Sequence, residues 1–99
     1  MEKLSLIKQT LEGHKRYLRE KYRVKEIGIF GSYVRGEQKK RSDVDILVEY
    51  EPDACLDLFT FIELENYLSD ILGLKADLVM KSALKPRIGK HILAEVMYL

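Results

Sequence analysis

The tripeptide Asp43-Val44-Asp45 stands at the head of an apolar run, Ile46-Leu47-Val48, and no other feature of the chain restricts its fold as much. Read as a strand, the segment puts Asp43, Asp45, Leu47 and Glu49 on one face and Val44, Ile46, Val48 and Tyr50 on the other. The second face demands a cover of hydrocarbon. The first carries two carboxylates one residue apart, which repel each other unless something positive lies against them. A fold that satisfies these demands is a small sheet with helices packed on it.

The flanking segments supply such a sheet and its cover. Leu4, Ile7, Leu11, Leu18 and Tyr22 recur close to a 3.6-residue period, which predicts an amphipathic helix over residues 3 to 22 with Gly13 as a weak interior point. Val24 to Phe30 predicts the first strand, with Ile27 and Ile29 alternating against Glu26 and Gly28. The chain then turns at Gly31-Ser32, and a short helical turn to about Val34 is stopped by Gly36. Glu51-Pro52-Asp53 breaks the second strand. Leu58, Phe61, Ile62, Leu64, Leu68, Ile71 and Leu72 form the stripe of another helix, closed by Gly73, and its aromatics Phe59 and Phe61 are read as core in preference to base-stacking platforms. Ala76 to Met80 predicts a third strand. From Ser82 through Pro86, the pattern of Ile88, Ile92, Leu93, Val96 and Met97 predicts a last amphipathic helix running to the end of the sequence. Its apolar end, Val96 to Leu99, either docks on the sheet or stays exposed to a partner. This order of elements implies an α/β or α+β domain, a small mixed sheet flanked by helices.

Ninety-nine residues with 46% hydrophobic content suffice for one compact domain, residues 1 to 99, without a separate substrate-binding lobe. Seventeen basic and sixteen acidic residues leave a formal charge of +1, which argues against a dedicated nucleic-acid binder relying on bulk charge. The balance is uneven: residues 14 to 25 and 35 to 41 are basic, and residues 49 to 70 mainly acidic. The first basic run reads as a solvated helix face or as a partner or nucleotide surface. Cys55 is the one cysteine and lies in a polar connection, so it is read as a bystander thiol in a reducing, cytoplasmic setting. No apolar segment approaches the roughly 20 residues needed to span a bilayer.

The chemistry concentrates between Gly31 and Asp45. A glycine lets backbone N–H groups approach a phosphate, a serine hydroxyl donates to it, and a helix opening there turns its positive end the same way. Ionised carboxylates only accept, which suits a hard divalent cation. Alone, Gly31-Ser32 is an ordinary turn and Ser42-Asp43 a loop entering a strand. Together, ten residues apart, they read as a triphosphate grip beside a magnesium site. Two readings stand for Arg35, a triphosphate contact or a surface residue; a guanidinium matches phosphate oxygens in pairs. Lys39, Lys40 and Arg41 form a loop able to attract a polyanion without a fixed contact. Asp77, inside the third strand, is a surface acid by itself; beside Asp43 and Asp45 it completes a carboxylate cluster.

The strings GSYVRGE and SDVDILV resemble the signature of the DNA polymerase β-like nucleotidyltransferase superfamily in its smallest version. That version is the minimal nucleotidyltransferase (MNT) domain of antitoxins paired with HEPN ribonuclease toxins. The resemblance implies a polymerase β-like fold in which the third acid comes on a strand after the intervening helix, the place of Asp77. It implies that Asp43, Asp45 and Asp77 are catalytic and hold two Mg²⁺ ions, with Gly31 and Ser32, and Arg35 as a candidate, binding nucleotide. It further implies ATP as substrate and transfer of AMP to a tyrosine of a cognate HEPN toxin. Opposed to this stand a non-catalytic antitoxin that binds nucleotide or toxin, and a transferase acting on small molecules or RNA ends.

Overall fold

The computed structural model describes residues 3–40, 42–54 and 57–99. Helix α1 (Lys3–Tyr22) leads into strand β1 (Val24–Phe30), a single-turn helix α2 (Ser32–Arg35) and strand β2 (Val44–Tyr50). Helix α3 (Leu58–Leu72) crosses to strand β3 (Ala76–Met80), and a 3-10 turn (Lys81–Ala83) precedes helix α4 (Pro86–Glu95) and strand β4 (Met97–Tyr98). The sheet order is β3-β2-β1-β4. β1 runs antiparallel to both β2 and β4, while β2 and β3 are parallel, so the sheet is mixed.

Helices α1 and α3 cover the sheet with part of the stripe that their sequence spacing provides, whereas Leu58 and Ile62 of α3 and Ile88 and Leu93 of α4 stay exposed. On α1 the buried residues are Ile7, Leu11, Leu18 and Tyr22, and Gly13, exposed with open space around it, is carried through the helix without a break. His14 joins the inner side as a polar member: its Nδ1 lies 2.7 Å from the Tyr67 hydroxyl of α3. On α3, Asp57 caps the first turn by accepting from the Thr60 N–H at 2.8 Å, and Gly73 closes the last turn in the left-handed conformation. Leu64 and Leu68 go inward, where with the α1 stripe they meet Val24, Ile27, Ile29, Val44, Ile46, Val48, Ala76 and Leu78. Burial of that apolar surface is the main force holding the fold.

Three expectations need correction. The final helix stops at Glu95 instead of running on: Val96 turns extended, and Met97–Tyr98 pairs with β1 at Ile29 and Gly28. The unpaired edge of β1 captures the tail there, and Leu99 N–H continues the pairing to the Ile27 carbonyl at 3.0 Å. Phe59 is 84% exposed. It lies roughly 200° around the helix axis from Phe61, which packs on the core, so the two cannot share the inner stripe. Asp43 is not a strand residue; the ladder begins one position later, where Val44 N–H donates to Lys75 O at 2.9 Å. Cys55 and Arg41 lie outside the described residues.

The parity of the sheet decides where function can sit. Gly28 and Leu47 are partners in register, as are Phe30, Asp45 and Asp77, and all five therefore face away from the α1–α3 side. Val96 lies over that second face, close enough that a Cβ on Gly28 would come within 2.6 Å of its methyl group. The acidic end of the same face stays open.

Candidate active site

Two crossings of the chain build the corner. β1 ends at Phe30, and Gly31 follows with φ 82° and ψ −152°, a conformation that only glycine adopts without strain. A Cβ at that position would also overlap the Asp45 carboxylate, so Gly31 is required twice, by its backbone and by the acid beside it. Its carbonyl accepts from the N–H groups of Val34 and Arg35, which wind α2 tightly onto the strand end. Gly36 closes that turn in the left-handed region. Tyr33, buried, donates its hydroxyl to the Ser42 carbonyl at 3.3 Å, while Ser42 Oγ accepts from Lys39 N–H at 2.7 Å. The loop carrying Asp43 is thereby fastened to the turn that carries Ser32.

The parallel pairing of β2 and β3 sets Asp45 directly opposite Asp77, and Asp43 lies just before the strand, near enough for its charge to act on Asp45. Burial pushes the Asp45 carboxyl above the ordinary carboxylate range; the nearby charges of Asp77 and Asp43 push it further, and Arg35 opposes them. The sequence-predicted acids are thus electrostatic neighbours. As they stand, however, no three acidic, histidine or cysteine side chains among the described residues meet at a common point suited to an ion. The fit to Mg²⁺ rests on donor chemistry: hard oxygen ligands, mutually repelling, at an open strand end. Lys39 and Lys40 are exposed on the loop.

A cleft of about 510 Å³ opens beside Asp45, lined by Phe30, Gly31, Arg35 and, from α4, Ile88, His91, Ile92 and Glu95. The α4 residues escaped the sequence reading. Glu95 in particular accepts from Gly31 N–H at 3.0 Å and from Arg35 Nη1 at 2.6 Å. Nothing in the local spacing of α4 announces this, because its partners lie about sixty residues earlier. Arg35 also donates through Nε to Glu37, so its guanidinium lies between two carboxylates and its pKa is raised by both.

An α+β sheet whose acidic strand ends face a glycine corner is the architecture of a minimal, polymerase β-like nucleotidyltransferase. The chain belongs to the nucleotidyltransferase domain family, whose model matches residues 11–99, and it is an enzyme of that class. It is similar to the protein adenylyltransferase MntA of Thermococcus cleftensis, with 57% identity over 96% of this chain and 94% of that one. A Methanocaldococcus jannaschii protein named provisionally as a protein adenylyltransferase is 52% identical over the full length of both. Among solved structures, one described provisionally as a minimal nucleotidyltransferase superposes with a TM-score of 0.77 at 28% identity, covering all of this chain and 97% of the other. A toxin-antitoxin structure with AMP-PNP gives a TM-score of 0.72 at 26% identity, covering 88% of this chain and 69% of that one.

Proposed function

We propose that residues 1–99 act as one Mg²⁺-dependent protein adenylyltransferase domain, an antitoxin that moves AMP from ATP onto a tyrosine of a cognate HEPN RNase toxin in the cytoplasm. The observation that carries this is the placement of Asp45 between Asp77 and the bare Cα of Gly31. The relatives' names add to it: protein adenylyltransferase on one side, a toxin-antitoxin structure with a nucleotide analogue on the other.

In this reading Asp43, Asp45 and Asp77 would hold two Mg²⁺ ions, which would supply charge neutralisation for the phosphates. Gly31 N–H, Ser32 and Arg35 fix the β- and γ-phosphates. The tyrosine oxygen attacks the α-phosphorus, the bond to the pyrophosphate oxygen breaks, and the phenolic proton leaves toward Asp77. Positioning supplies most of the remaining rate. In this reading the acceptor tyrosine arrives on a folded partner that brings its own surface.

Incubation with ATP labelled at the α-phosphate, Mg²⁺ and the HEPN protein encoded alongside tests the proposal. Label should pass to the toxin and vanish with the Asp43→Ala/Asp45→Ala double variant. Undiminished transfer in that variant rules the residue assignment out. A tight complex with no label at all supports the non-catalytic antitoxin.

A further inference from the structure

Glu95 ends α4 and belongs to no motif, yet its carboxylate already holds two of the donors assigned above to the triphosphate. Oε2 takes the Gly31 N–H at 3.0 Å and Oε1 takes Arg35 Nη1 at 2.6 Å. A carboxylate bridging a backbone N–H and a guanidinium makes the same two-pronged contact as two oxygens of a phosphate. One pair of donors cannot serve both anions in full.

The surroundings make the competition direct. The Glu95 side chain is 21% exposed, at the rim of the cleft that Phe30, Ile88 and Ile92 also line. Partial burial pushes its carboxyl up, but the hydrogen bonds from Arg35 and Gly31 outweigh this and leave its pKa below the ordinary range. It therefore stands in the corner as an anion. It also adds to the negative field at Asp45. A triphosphate entering beside it meets one more like charge than the three aspartates account for.

We propose that Glu95 is a built-in phosphate mimic, occupying the Gly31–Arg35 cradle until a nucleoside triphosphate displaces it, and so setting the affinity of the site for that ligand. This rests on the reading of Gly31 and Arg35 as triphosphate donors. Glu95 is the last helical residue, with Val96 already extended, so its side chain can swing out by rotation about its own bonds while α4 stays wound. Once it leaves, Arg35 keeps one carboxylate partner, Glu37, and gains the phosphate.

The opposite role, a tether that merely fastens α4 to the corner or aims Arg35 at the ligand, makes the reverse prediction. The dissociation constants of a non-hydrolysable ATP analogue with Mg²⁺, and of inorganic tripolyphosphate, are measured by calorimetry for the wild type, Glu95→Gln and Glu95→Gln/Arg35→Ala. Glu95→Gln should bind both ligands about tenfold tighter, the scale of one charge-assisted contact relieved, and the gain should disappear in the double variant. Wild-type binding with equal or weaker binding by Glu95→Gln overturns the inference and leaves the site reading intact. No binding by either protein overturns both, whereas binding by Glu95→Gln alone supports a mimic strong enough to close the site. A measurement on the unaltered protein guards against a misfolded variant. The carboxyl ¹³C resonance of Glu95 should shift as tripolyphosphate saturates the site, and a static resonance at saturation overturns the proposal.

Discussion

A carboxylate placed like that of Asp45 is a cost to the folded state wherever it is ionised. Burial, then Asp77, then Asp43 raise its pKa, and Arg35 only partly offsets them. A folded-state pKa above the unfolded one means that the native protein binds the extra proton. Stability therefore falls as pH rises through the interval between the two values. Asp45→Asn should accordingly stabilise the protein at neutral pH by about 0.2–1 kcal/mol, the scale of directly opposed like charges across a sheet. The gain should vanish as pH drops below the ordinary carboxylate range, which urea unfolding at neutral and acid pH would reveal. An unchanged or lowered midpoint at neutral pH would contradict the electrostatic account. At this scale the sequence was informative about the turn at Gly31 and about the side that Asp45 and Asp77 take, because short-range spacing and strand parity determine them, whereas Asp43 lies before the ladder. It was silent about Glu95, whose partners are 60 and 64 residues away and whose role depends on how α4 returns to the corner.

Among the elements, β3 is the most exposed to error, since it forms one edge of the sheet. Its outward N–H groups do not face water alone: Ala76 N–H donates to Ser69 Oγ at 2.9 Å and Leu78 N–H to Glu65 Oε2 at 2.9 Å, both from α3. The crossover helix thus blocks the edge it creates, an answer to the general hazard of unpaired strands. Glu65→Ala should lower stability by about 1–3 kcal/mol, the cost of a lost acceptor at a partly buried donor. It should also increase self-association, read by light scattering during thermal unfolding. Glu65→Gln, which keeps an acceptor, should recover most of the loss, and equal behaviour of the two variants would argue against edge protection. Helices α1 and α3 and strands β1 to β3 were legible from periodicity because each carries its own stripe or alternation. β4 was not, since two residues have no pattern and owe their conformation to the free edge of β1. Phe59 misled for a related reason: residue type records affinity for hydrocarbon but not the angle at which the helix presents it.

For the molecule as a whole, α1 and α3 lie over one face of the sheet while the acids and α4 lie toward the other, so the corner is assembled from β1, β2, β3 and α4 together. A ligand that binds only this folded arrangement stabilises all of it. A nucleoside triphosphate with Mg²⁺ at a hundred times its dissociation constant should add ~2.7 kcal/mol to the unfolding free energy. Nucleotide with a chelator should add much less, because the carboxylates then face the triphosphate unscreened. Calorimetry in the two conditions measures the difference, and equal stabilisation would exclude a cation at the acids. Among the described residues no helix is long and apolar enough to cross a membrane. The close approach of Val96 to Gly28 bears on how the corner communicates with the rest of the protein. A hydrogen atom, where most residues carry a methyl, leaves a dimple in the sheet, and the segment just after Glu95 rests in it. The seat of the segment that follows Glu95, and with it the position of that carboxylate at the corner, is therefore set partly by Gly28 at the floor of the sheet.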